Sequence, residues 1–223
     1  MKMENRIFRS LGKLTRDIDE NSRRIEGQAI IYDSFSRDLG GFIEKINRGA
    51  VTEDLIASSD VIMNINHDND QMLARCVNGE GTLSLELRED GLWFSFDAPT
   101  TARGDEILYN VKKGNYFECS FACLLDKGDI IRYRQGDTYI QEINRISALL
   151  DCAIVTHAAY PATSVSARSE EEATAEFEDI KREVDEKEAA ERAEQERIEQ
   201  EKRNEEILNG LEELKNSFLE DIK

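Results

Sequence analysis

After Ser169 the chain has no proline, and its only glycine is Gly210. Helix formers fill the stretch, and nothing in it breaks a helix before Gly210. This break at residue 169 divides the 223 residues into two unlike parts. The second part carries 21 acidic and 9 basic residues, so −12 of the net charge of −18 lies there. Phe177, Ile180 and Val184 are spaced three and four apart, and Ile207, Leu211, Leu214, Phe218 and Ile222 repeat at 4, 3, 4 and 4. The pattern predicts one long helix with apolar patches at both ends. Such a helix is marginal alone and is expected to pair with something, most simply another copy of itself.

The part before residue 169 has the opposite character. Leu83, Leu85 and Leu87 alternate with polar residues, Glu89-Asp90-Gly91 supplies turn chemistry, and Leu92, Phe94 and Phe96 alternate on the way back. That is a β-hairpin signal. Further strands are expected in IEGQAIIYDSFS, in SSDVIMNINHD, and over 115–125, 129–135, 138–144 and 146–156. A short helix is expected over Val51–Ala57. A second is expected over 101–113, capped by Thr100 or Thr101 and stopped at Gly114. Residues 1–20 give no clear pattern. Many short strands with two helices predict an α+β fold: a β-barrel-like domain with flanking helices over residues 21–168, an N-terminal extension over 1–20, and the acidic helical tail over 169–223.

Composition excludes several functions. An acidic chain without Lys/Arg clusters is a poor nucleic-acid binder. No apolar run approaches the roughly 20 residues that span a bilayer, and MKMENRIFRSLGKL has no apolar core of a secretory signal. There is no Gly-rich phosphate loop, so no nucleotide cofactor is expected. The four cysteines (Cys76, Cys119, Cys123, Cys152) lack a CxxC spacing and sit in apolar strand contexts, which suits reduced core thiols rather than a metal site.

Three residues stand out chemically. His67 ends a segment in which Val61, Met63 and Ile65 alternate; if the strand persists, its ring shares their face. Both a half-buried structural histidine and a general base fit that position. Ser120 lies on the polar face of NYFECSFACLL, opposite Phe117, Cys119, Phe121, Cys123 and Leu125. A mid-strand serine is ordinary, and becomes a nucleophile only beside a base. Asp151 interrupts the apolar run ISALLDCAIVT, where a carboxylate is costly unless paired. A histidine would be a suitable partner; a capping role at a strand end fits as well. His157 follows the same run. Cys119 is a conceivable nucleophile, but its sulfur would point to the apolar face.

The order of GGFIEKINRGAV, NHD at 66–68, GTLSLELREDGLWFSFDAP, NYFECSFACLL and LLDCAIVTHAAYPATSV resembles the caudovirus prohead serine protease family, over about residues 20–168. The chain departs from that family at Leu73-Ala74-Arg75, at Ala153 and at Ala158–Pro161. The resemblance implies a serine endopeptidase of capsid maturation, similar in fold to the herpesvirus assembly protease. His67 would be the general base, Ser120 the nucleophile and Asp151 the orienting third member, with His157 as the alternative third member. It implies no cofactor and no metal. Its substrates would be the major capsid protein, the scaffold segment and the protease itself, inside the assembling procapsid in the host cytoplasm. The tail would be a scaffold-like segment, removable by self-cleavage near Ser164–Glu172. An assembly protein without activity, acting through the tail, and an unrelated β-barrel binding module are the competing expectations.

Overall fold

The computed structural model describes residues 7–14, 22–36, 38–156 and 170–220, with the side chains of most of them. Two compact units emerge, Met1–Ile180 and Lys181–Lys223.

In chain order the first unit contains β1 (Ile7–Leu14), β2 (Arg24–Ile31), β3 (Phe42–Ile46), α1 (Glu53–Ser58), β4 (Asp60–Ile65), β5 (Ala74–Val77), β6 (Glu80–Gly81), β7 (Leu83–Arg88), β8 (Gly91–Asp97), α2 (Ala102–Lys112), β9 (Glu118–Leu124), β10 (Ile130–Gln135), β11 (Thr138–Ile143) and β12 (Ala148–Val155), and the start of α3 (Glu170–Glu220). Nine strands form one sheet in the order β6-β5-β4-β12-β9-β1-β2-β8-β7, and β10-β11-β3 form a second. Both are mixed: β12 runs parallel to β4 and β11 parallel to β3, while the other ladders are antiparallel.

The expected barrel is not there. The two edges of the large sheet are joined by a single residue, Thr82, between β6 and β7. Its N–H donates to the carbonyl of Arg75 at 3.0 Å, and its Oγ accepts from the Arg75 N–H at 3.2 Å. That exchange belongs to the β5–β6 side, and no ladder pairs β7 with β5 or β6. Closure needs a hydrogen-bonded seam; here the sheet curls and stays open. The fold is α+β with two mixed open sheets and a long C-terminal helix.

Local chemistry explains the elements. In the β7–β8 hairpin Leu83 faces Phe96, Leu85 faces Phe94 and Leu87 faces Leu92, so the apolar alternation falls on one face. Gly91 has φ +151°, and a Cβ there would lie 1.8 Å from the Ile30 carbonyl oxygen, so only glycine fits. Thr52 and Thr101 cap α1 and α2, accepting from the N–H groups of Leu55 and Gly104. The main core lies against one face of the large sheet and includes Ile25, Met63, Phe94, Ile107 and Phe121, all essentially buried. Each such side chain contributes about 1.5–3 kcal/mol through removal from water.

The second sheet carries the first turns of α3. Phe177 packs edge-on against Tyr139 with ring centroids 5.6 Å apart, and Ile180 is fully buried. The second unit, from Lys181 onward, is helical, with ion pairs such as Arg197–Glu194 at 2.7 Å along its surface. Ile198, Ile207, Leu208 and Leu211 are exposed on it.

Candidate active site

Ser120 lies in the middle of β9, with β12 on one side and β1 on the other. Its cross-strand partner on β12 is Ala153, whose own partner on β4 is Asn64. These three side chains form a row on the sheet face opposite the main core. All three are buried, so β9 and β12 are covered on both faces.

Asp151 reaches that face through a bulge. Leu149 pairs with Cys123, yet Asp151 pairs with Ala122, so Leu150 is the extra residue. A one-residue shift of register turns every later side chain over. Without the bulge Asp151 would point into the main core. With it, Leu149, Cys152 and Ile154 belong to the core, and Asp151 and Ala153 share the face of Ser120. A second irregularity lies on the other side: Arg9 pairs with Phe121 and Gly12 with Cys119, so both Ser10 and Leu11 lie opposite Ser120.

His67 does not continue a strand. β4 ends at Ile65, and Asn66 and His67 have φ of +52° and +59°. The N–H of Asp68 donates to the Ile65 carbonyl at 3.0 Å. Two successive residues of positive φ closed by this bond make a type I′ turn. The expectation that His67 shares a face with Val61, Met63 and Ile65 therefore fails, because the turn reverses the chain. Past the turn, Asp68 accepts from the Asp70 N–H and from Gln71 Nε2, and these bonds hold its carboxyl below the usual range, the Gln71 bond most. Asn64 Nδ2 donates to Asn69 Oδ1 at 3.3 Å, and Arg103 of α2 donates to the Asp70 carbonyl.

The turn brings the three residues together. His67 Nδ1 lies 2.7 Å from Asp151 Oδ1, and His67 Nε2 lies 2.7 Å from Ser120 Oγ. With the proton on Nδ1, the imidazole donates to Asp151 and accepts from the Ser120 hydroxyl. The His67 side chain is 6% exposed and that of Asp151 1%. A hydroxyl so placed can pass its proton to a base whose tautomer the carboxylate fixes. His157 lies outside the described residues.

The cysteines serve the core. All four are buried thiols outside any disulfide. Cys119 donates its thiol to the Gln28 carbonyl at 3.0 Å, away from His67, and burial pushes that thiol well up. Burial does the same to Cys152. Among the described residues no cluster of His, Cys, Asp or Glu could hold a metal ion. Phe117, expected on the core face, is 42% exposed because it precedes β9.

Sequence reasoning named the three side chains but missed what positions them. The Leu150 bulge leaves no period-two trace, because β12 is apolar on both faces. The turn had a signal, since asparagine is the residue other than glycine that most readily takes positive φ.

Among curated proteins none matches the sequence. The solved structure of the bacteriophage T4 capsid assembly protease, gp21, is similar at TM-score 0.47 and 10% identity, covering 68% of this chain and 97% of that one. The family model described as caudovirus prohead serine protease matches residues 13–177. This chain belongs to the caudovirus prohead serine protease family, the serine endopeptidases of capsid maturation.

Proposed function

We propose that Ser120 is the nucleophile of this protease, His67 its general base and acid, and Asp151 the carboxylate that fixes the imidazole. The supporting observation is the unbroken hydrogen-bond series from buried Asp151 through His67 to Ser120. The Ser120 hydroxyl gives its proton to His67 Nε2 as Oγ attacks the scissile carbonyl. Nε2 returns that proton to the leaving amine. Water, deprotonated by the same nitrogen, then releases the acyl group and regenerates Ser120.

The substrates in this reading are the major capsid protein, the scaffold segment and the protease itself, cut inside the assembling procapsid in the host cytoplasm. The region near Ser164–Glu172 is the site of self-cleavage, and residues 169–223 are a scaffold-like tail that associates with its own kind. Exposed Ile207 and Leu211, one turn apart on α3, favour such pairing. No described helix is long and apolar enough to cross a membrane.

The test is co-expression with the capsid protein, as wild type and as Ser120→Ala, with intact masses of both chains. Shortening in wild type alone supports the reading. Shortening that persists in Ser120→Ala assigns the nucleophile elsewhere.

A further inference from the structure

We infer that Asn66 is a positioning residue for this reaction, and that it acts by clamping the His67 turn to the far end of β12. The inference rests on the assignment of Ser120 and His67 above.

A type I′ turn favours Asn-Gly at its two central positions. Asparagine stands at the first, Asn66, but the second is His67, whose Cβ makes positive φ unfavourable. Strain of this kind persists only where the surroundings over-determine it. The hydrogen bond from Asp68 to Ile65 closes the turn on itself but does not tie it to the sheet.

Asn66 makes that tie twice. Its main-chain N–H donates to the Ile154 carbonyl at 3.0 Å, and its side-chain Oδ1 accepts from the Thr156 N–H at 3.2 Å. β4 and β12 are parallel, and their ladder runs from Ile62–Asp151 to Ile65–Ile154. The chain then turns away at Asn66, where the next main-chain acceptor for Thr156 would have stood. The Asn66 amide oxygen takes its place and extends the ladder by one bond. The strand so gripped is the one that carries Asp151. The clamp thus fixes the base to the carrier of its own carboxylate, one residue from the imidazole.

This role separates from mere tolerance of positive φ. Asn66→Gly keeps the turn and loses the oxygen. Asn66→Ala loses both. Asn66→Asp keeps an acceptor and still tolerates positive φ. Thr156→Pro removes the donor from the other side while leaving Asn66 intact.

The experiment measures the rate at which a fluorophosphonate probe labels Ser120 in the full-length chain, with melting temperatures alongside. Asn66→Ala, Asn66→Gly and Thr156→Pro are each expected to slow labelling roughly 10- to 100-fold, as small misplacements of reacting groups do. Asn66→Asp is expected to restore most of the rate. Asn66→Gly combined with Thr156→Pro should be no slower than either alone, since both remove the same single bond. If Asn66→Ala does not fold, Thr156→Pro against wild type carries the same test. Wild-type labelling in Asn66→Gly, or losses that multiply in the double variant, overturn the clamp while leaving the protease reading intact. A folded wild type that takes no label at Ser120 sinks the nucleophile assignment, and the clamp with it.

Discussion

Asp151 and Ala122 face each other across the β12–β9 ladder because Leu150 bulges out of register one residue earlier. The carboxylate of the site thus owes its side of the sheet to a backbone irregularity. Deleting Leu150 should close the ladder without a bulge, with Leu149 still opposite Cys123 and Asp151 still opposite Ala122, so the carboxylate keeps its side of the sheet and its histidine. An Asp151 turned instead into the main core would be a buried charge without its histidine, which costs about 3–5 kcal/mol, enough to unfold many domains. Leu150→Ala, at a half-buried position, should cost under about 2 kcal/mol. Urea denaturation should show modest losses in both variants, and a collapse of the deletion variant alone would refute the register assigned to Asp151.

Asp151→Asn tests the carboxylate without changing shape. An amide cannot hold the imidazole in the same tautomer, and in a site of this kind the loss is about 10⁴-fold in turnover. The variant should fold, with capsid-protein cleavage all but absent. Cleavage within tenfold of wild type would move the third role away from Asp151.

Glu142 gives a pH dependence that is independent of catalysis. The Lys45 ammonium, 2.9 Å away, is the largest influence, and with Asn47 and Tyr133 it holds the Glu142 carboxyl down to about 2 from 4.5. Because the folded value is depressed, its stabilisation is complete above about pH 4.5 and fades as pH falls toward 2. Allowing for partial solvent access, it amounts to about 2 kcal/mol. Melting curves of Glu142→Gln should lack that part of the acid limb; curves parallel to wild type between pH 5 and 2 would refute the assignment.

The thiols should be inert in the folded protein. Burial raises Cys76, Cys119 and Cys152, and all four cysteines are buried. Iodoacetamide should modify none of them before unfolding and all four afterwards, as read by mass. Early modification of Cys119 with loss of activity would reopen it as a nucleophile.

Gly41 reports on how α3 begins. Its φ is +113°, and a Cβ there would stand 2.8 Å from the Phe177 ring. Gly41→Ala should destabilise by about 1–3 kcal/mol through the crowding and the backbone strain together. Adding Phe177→Ala should relieve the crowding, so the double variant loses less than the two single effects summed. Strict additivity in the melts would show that the contact is not what matters.

What the residues disclosed varied with how far each pattern depended on distant neighbours. The β7–β8 hairpin, α2 with its Thr101 cap, and the strands β10 to β12 follow from local periodicity and turn chemistry. β1 did not, because the irregularity at Ser10–Leu11 interrupts any alternation in IFRSLGKL. The barrel expectation failed for a related reason: strand number says nothing about a seam, and the seam here would have to form beside Thr82. Ser120, His67 and Asp151 were singled out by chemistry and by family resemblance. Their meeting depends on a turn and a bulge, neither of which has a periodicity to read.

The place of β1 has a consequence for how the enzyme comes into being. This first strand lies between β2 and the Ser120 strand, which the ribosome delivers roughly a hundred residues later. A nascent chain can hold the β1–β2 pair but has no Ser120 strand to dock. Asp151, on the last strand, arrives later still. Ser120, His67 and Asp151 therefore cannot meet piecemeal during synthesis: until nearly the whole domain has emerged, the growing polypeptide is a protease only in composition.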